Sequence, residues 1–232
     1  MQLLLFWACG MRTIIYVDGF NLYYRALKYN PQLKWLNVKA LAEDVLSSEN
    51  VITAVKYYTA RVSARIDPDA PRRQQIYFDA LETIPELEIF QGKFLVTKPY
   101  AALAPPPQNG KSPFKPWPTV VRIIKTEEKG SDVNLGAHLV RDAFTNAFDV
   151  AVVLSNDTDL CEPIRIVVEE LQKPVGIICP AENVANDLQD VASFVRHISH
   201  SRLARSQFPN PVVDTNGQEL HKPTAWVEQD GD

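Results

Sequence analysis

Among its 232 residues the chain has only three cysteines, Cys9, Cys161 and Cys179, and no two of them form a C-x-x-C pair. An odd number of widely spaced thiols gives no disulfide framework and no cysteine zinc site, and it points to a reducing, cytoplasmic compartment. The four histidines are scattered, without ligand-like spacing. Long apolar runs are missing as well. The first ten residues, MQLLLFWACG, lack a basic leading segment and are too short for a signal peptide or a membrane span. They read as an extra segment, with Met11 as a candidate native start; a lipid anchor at Cys9 is the weaker alternative. Excess positive charge is also absent. A formal net charge of −4 argues against a protein that holds nucleic acid by bulk electrostatics.

A hydrophobic share of 46% is enough for a sizeable core, and the length fits one domain with appendages. Local order follows from patterning. Residues 13–17 (TIIYV) form a short β-branched run that Asp18-Gly19 ends, as a buried parallel strand meets a turn, and a helix is expected from about Asn21. Helices are expected over 38–47, 69–83, 132–147 and 183–191, with a further one after the turn at 155–159 that carries Pro163 near its start. Strands are expected over 51–59, 87–96, 120–125, 149–154, 175–179 and 194–198. Alternation of this kind predicts an α/β fold with a mainly parallel sheet between helical layers. The 120–125 strand is expected to pair with the Phe94 region as a hairpin around a loop, residues 98–118, with seven prolines among residues 99–118. Residues 11–200 then form the domain. Residues 201–232 read as a polar tail with isolated apolar residues that either pack or stay mobile.

In open parallel sheets, functional groups gather at the carboxyl ends of the strands. Asp18 ends the first strand, Asp157 and Asp159 follow the DVAVVL strand, and Asp132 opens a helix whose N-terminus should face the same edge. Each aspartate alone is explained by turn or helix-cap hydrogen bonding. All four together repel one another unless a cation sits among them. Hard oxygen ligands without matching His or Cys call for Mg²⁺ or Mn²⁺, and phosphodiester hydrolysis is the chemistry such an ion supports. Asp159 serves equally well as a helix cap or an outer ligand.

Supporting roles fall to nearby polar groups. Asn21, three residues after Asp18, can orient a ligand or phosphate, with helix capping as its plain reading. Ser155 and Asn156 can hydrogen-bond a carboxylate or phosphate, though turns favour both residues anyway. Lys129 can offset phosphate charge, against the plainer reading of a solvated lysine beside Glu127 and Glu128. From residue 89 to 126 there is no acid, while Lys93, Lys98, Lys111, Lys115, Arg122 and Lys125 fall inside, interleaved with Phe90, Phe94, Tyr100, Phe114 and Trp117. Basic groups mixed with aromatics suit single-stranded nucleic acid. Phe90 and Phe94 read first as strand core, whereas Trp117 between two prolines is harder to bury.

Taken together, Tyr16-Val17-Asp18-Gly19-Phe20-Asn21-Leu22, Lys129-Gly130-Ser131-Asp132-Val133 and Ser155-Asn156-Asp157-Thr158-Asp159-Leu160 resemble the NYN domain, a branch of the PIN-like nuclease superfamily that includes LabA-like proteins. The resemblance covers about residues 11–200. It implies a PIN-like three-layer α/β/α sandwich, Mg²⁺ or Mn²⁺ dependence and cleavage of RNA, endonucleolytic in the first reading. Position by position, Asp18, Asp132, Asp157 and Asp159 match the family's acidic metal-site positions, and Asn21 its polar partner. The proline-rich insertion is the main departure. Two alternatives stand beside a ribonuclease. An aspartyl-phosphate phosphatase resembling the haloacid dehalogenase group needs an acid two residues after the nucleophile, and Asp18 is followed by Gly19-Phe20. A non-catalytic RNA- or protein-binding regulatory module would dock through the proline-rich loop and the tail.

Overall fold

The computed structural model describes residues 10–64, 67–105 and 116–227. The elements run β1 (Met11–Asp18), α1 (Gly19–Leu22), α2 (Val38–Val45), β2 (Asn50–Ala60), α3 (Ala70–Leu81) and β3 (Leu87–Thr97), then β4 (Tyr100–Ala102), β5 (Val120–Arg122) and β6 (Lys125–Lys129). They continue through α4 (Ser131–Phe144), β7 (Val150–Leu154), α5 (Cys161–Arg165), β8 (Val175–Cys179), α6 (Asn186–Val191), β9 (Phe194–His197), α7 (His200–Arg205), β10 (Val212–Val213) and β11 (Glu219–Leu220). The described residues contain no helix long and apolar enough to cross a membrane.

Seven strands form one sheet in the order β6-β3-β2-β1-β7-β8-β9, parallel throughout except that β6 runs antiparallel to β3. The chain winds outward from β1 through β2 and β3 to one side, then returns to β7 and winds the other way. The strand order therefore reverses between β1 and β7, which opens a crevice at their carboxyl ends. Side-chain alternation along β1 feeds two cores. Ile15 and Val17 pack with α2, α3 and α7, whereas Ile14 and Tyr16 pack with α4, α5 and α6. Burial on both faces explains why β1 and β7 read as unbroken apolar runs. The result is a three-layer α/β/α sandwich.

The proline-rich region departs from the expected hairpin. The stretch 120–125 is not one strand: Val120–Arg122 pairs with Tyr100–Ala102, while Lys125–Lys129 pairs with Lys93–Thr97. Two short ladders in series thus form an arm, and Phe94 opposes Glu128. Residues 106–115, with Lys111, Lys115 and Phe114, lie outside the described residues.

Beyond residue 200 the chain packs on the domain as far as residue 227. Phe208 and Leu220 are buried in the first core, and Trp226 packs against it. The Trp35 ring meets Phe208 and Trp226 at centroid separations of 5.7 and 6.5 Å, and its indole N–H donates to the Pro209 carbonyl at 3.0 Å. The isolated apolar residues of the tail fill an aromatic hollow, where Tyr77 also donates to the Leu36 carbonyl.

Candidate active site

Asp18 sits at the end of β1 and also caps α1. One carboxylate oxygen accepts from the Asn21 backbone N–H at 2.9 Å, and the other accepts from the Ser155 hydroxyl at 2.8 Å. The turn after Asp18 requires glycine, because a Cβ on Gly19 would lie 2.8 Å from the Tyr57 ring and from the Tyr58 carbonyl oxygen. From the other side of the crevice, the turn after β7 brings Ser155, Asn156 and Asp157. Ser155, fully buried, accepts from the Asp157 N–H at 3.1 Å while it donates to Asp18. The Asn21 side-chain oxygen accepts from the Asn156 N–H at 3.1 Å, which ties the first turn to the second. Asn156 in turn holds the loop before α6, donating to the Asn183 carbonyl and accepting from the Ala185 N–H.

Asp132 arrives on the first turn of α4. Gly130 caps that helix with φ +104°, a left-handed conformation natural only to glycine. Ser131, buried, anchors the turn to the sheet by donating to the Thr59 carbonyl at 3.2 Å and to Glu128 at 2.9 Å. The consequence is a group of three carboxylates, Asp18, Asp132 and Asp157, with one oxygen from each within 4.8 Å of the others.

Electrostatics expose the cost of this arrangement. Burial pushes the Asp18 carboxyl above its ordinary value, although the hydrogen bonds from Asn21 and Ser155 pull it back in part. Asp132 is pushed up to about 6, first by burial and then by the charges of Asp18, Asp157, Glu128 and Asp159. A helix N-terminus favours an anion by only about 0.3–1 kcal/mol at exposed sites, so it does not offset this repulsion. Three oxygen ligands under mutual repulsion, with no nitrogen or sulfur donor among them, form a donor set that fits a hard divalent cation.

A pH effect on stability follows from the raised Asp132 value. A carboxyl whose folded pKa exceeds its unfolded value near 3.8 favours folding in its protonated form. That contribution is complete below the unfolded value and is lost as pH rises through about 6. Without divalent cation, the melting temperature is expected to fall between pH 5 and pH 7.5, and Asp132→Asn should flatten the fall. Each kcal/mol relieved is worth about 2–4 °C in a domain of this size. Parallel melting curves for both proteins would disprove it. Ser155→Ala should cost about 1–3 kcal/mol in chemical denaturation, because it leaves a buried Asp18 oxygen without its donor.

The group of three is reached from a cleft of about 600 Å³, whose other walls are Phe20, Asn21, Tyr24, Arg25, Phe94 and Glu128. Asp159 stands apart from the group: it is exposed, and its N–H donates to Asp157 at 3.1 Å within the turn. Lys129 is exposed and lies 3.6 Å from Glu127. Of the basic candidates, Lys93, Lys98, Arg122 and Lys125 lie on the arm and line no part of this cleft. Lys125 pairs with Glu127, and Arg122 donates to the Lys98 carbonyl. Trp117 donates to the Ala104 carbonyl at 3.0 Å. Sequence reasoning passed over Phe20, Tyr24, Arg25 and Glu128. The i, i+4 pairs Phe20/Tyr24 and Asn21/Arg25 were the available signal for three of them.

The NYN domain profile matches residues 12–200. The chain belongs to the NYN domain family. This is a family of PIN-like nucleases, so the three acids occupy a nuclease fold. The chain is also similar to the 6-hydroxy-3-succinoylpyridine 3-monooxygenase of Pseudomonas putida, at 28% identity over 94% of this chain and 76% of that protein. Among solved structures, it resembles a protein of unknown function from Vibrio parahaemolyticus. The TM-score there is 0.50 at 16% identity, covering 83% of this chain and 96% of the other, a likeness of fold alone.

Proposed function

We propose that this NYN protein is a ribonuclease that hydrolyses single-stranded RNA at Asp18, Asp132 and Asp157 with Mg²⁺ or Mn²⁺ as cofactor. The observation that carries the reading is the meeting of these acids at the β1/β7 switch point. Asp18, Asp132 and Asp157 would hold the ion, and Asp159 would act from outside the group, its backbone N–H donating to the Asp157 carboxylate that caps this turn. When bound, such an ion polarises a phosphoryl oxygen and lowers the pKa of an attacking water. The chain's own residues keep the acids in place: Ser155 and the Asn21 N–H fix both oxygens of Asp18, and α4 carries Asp132 on a rigid element. Asn21 presents a neutral amide between Asp18 and Asn156, where another charge would add repulsion. Cation binding also relieves the Asp132 repulsion, so Mn²⁺ should raise the melting temperature at pH 7.5 for the intact chain and not for Asp132→Asn.

A second reading is oxidation of a small hydroxypyridine acid, suggested by the Pseudomonas putida relative and by a cleft that places Phe20, Tyr24 and Phe94 beside Arg25. The rings would hold the heterocycle and the guanidinium a carboxylate. The ribonuclease reading is preferred, because clustering acids against one another is of no use to an anionic aromatic substrate. The two separate in one comparison. Single-stranded RNA, duplex RNA and single-stranded DNA are incubated with Mg²⁺, Mn²⁺ or a chelator, and a hydroxypyridine acid with O₂ and a reduced nicotinamide. Metal-dependent RNA fragments are expected. Intact RNA with turnover of the pyridine would move the assignment to the second reading.

A further inference from the structure

The helical segment that leaves the acids has an unusual surface. Residues 19–27 begin as α1 and widen into a π-turn at Tyr23–Leu27, a geometry that recurs at functional sites because it displaces side chains from the regular register. Its outer faces form two rows. Phe20 and Tyr24 stack with centroids 6.4 Å apart, and Phe94 meets Phe20 edge-on at 5.6 Å. Beside them run Asn21 and Arg25, also four residues apart. Tyr24 is 56% exposed, although a tyrosine ring gains most by burial. Lys28 lies over the Tyr24 ring at 5.1 Å, at the far end of the aromatic row. Arg25 is exposed, and no carboxylate pairs with it among the described residues even though its cleft contains four acids.

We infer that Phe94, Phe20 and Tyr24 are a base-stacking platform and that Arg25 binds a phosphate of the same single-stranded RNA, so that the strand leaves the acids along this helix rather than along the proline-rich arm. The inference rests on the ribonuclease reading for the identity of the polymer, but the platform is a binding site in its own right. Aromatic faces accept any base, and a guanidinium beside them supplies the phosphate contact that a chain of net negative charge lacks overall. Along the row, Phe20 to Lys28 spans about 12 Å of helix, enough for more than one ring position. On the arm, Lys125 pairs with Glu127 and Arg122 with a backbone carbonyl, and none of its described basic groups lines the cleft that holds the acids.

The test measures binding of a labelled single-stranded RNA by anisotropy over a salt series, in chelator so that no cleavage occurs. The proteins are the intact chain, Tyr24→Ala, Tyr24→Phe, Arg25→Gln and, as an exposed aromatic control far along α4, Phe144→Ala. Tyr24→Ala is expected to weaken binding roughly 5- to 100-fold, with Tyr24→Phe close to the intact chain. Arg25→Gln should lower the slope of log affinity against log salt by about 0.7, the value of one single-strand phosphate contact. Normal binding by both Tyr24→Ala and Arg25→Gln overturns the platform even where metal-dependent cleavage is found. Binding that depends on Tyr24 and Arg25 without any cleavage keeps the platform and removes the nuclease reading instead. Absence of RNA binding, or displacement of the RNA by a hydroxypyridine acid at comparable concentration, overturns the RNA assignment.

Discussion

Asp157→Asn is expected to reduce metal-dependent RNA cleavage by at least about 100-fold with little change in the melting temperature. The size follows from what the residue does. Loss of a mere supporting contact around a bound metal typically costs 10–100-fold, so loss of a direct carboxylate ligand costs no less. The small effect on folding follows from its surroundings. Asp157 is only partly buried, and an asparagine oxygen can still accept the Asp159 N–H that the aspartate accepts at 3.1 Å. Removing one of three mutually repelling charges also relieves Asp132. A rate measured under single turnover, set beside a melting curve, separates lost chemistry from lost fold. Activity within threefold of the intact chain would remove Asp157 from the mechanism.

Asp142→Ala is expected to lower stability by about 3–5 kcal/mol in urea denaturation, through a buried network that the chemistry does not use. Asp142, 4% exposed on α4, accepts from the Tyr16 hydroxyl at 2.8 Å, from Lys56 and from Arg141 at 2.8 Å. Burial drives its pKa up, and the hydrogen bonds from Lys56, Arg141 and Tyr16 more than reverse this, leaving it below the ordinary carboxylate value. Alanine would leave the Lys56 ammonium and the Tyr16 hydroxyl without their partner in a largely dry layer. The network joins α4 to β1 and β2, so its loss would also loosen the helix that carries Asp132. Replacing the pair together, Asp142→Leu with Lys56→Met, should recover much of the loss, because no uncompensated charge then stays buried. Equal cost for the single and double variants would show that packing, not charge, sets the value.

The sequence and the structure agree where local chemistry sets the shape. The β-branched run before Asp18, the apolar DVAVVL strand and the long patterned helix after Gly130 each form within a few residues of where the pattern puts them. The switch-point rule then suffices to bring Asp18, Asp132 and Asp157 to one edge. What stayed hidden depends on contacts distant in sequence. Glu128 reads as one more charge beside Lys129; only the β3/β6 pairing, with Phe94 opposite it, turns it toward the cleft. In the arm, a run of β-branched residues does not reveal the break between Val120–Arg122 and Lys125–Lys129, and a strand with two glutamates has little β signal of its own. Tyr24 and Arg25 show in the sequence only as i, i+4 partners of Phe20 and Asn21, and it is the packing of Phe20 on Phe94, distant along the chain, that makes this face a wall of the cleft. The tail shows no period at all, since Phe208, Leu220 and Trp226 each fill a separate part of one hollow.

Cleavage of end-labelled single-stranded RNA in the absence of oxygen and of any reductant tests most directly whether the three acids make this chain a hydrolase. The intact chain should give discrete fragments with Mn²⁺ or Mg²⁺ and none with chelator, and Asp18→Asn, Asp132→Asn and Asp157→Asn should each abolish them. Intact RNA under every metal condition, or the same fragments from the three variants as from the unaltered protein, would contradict it.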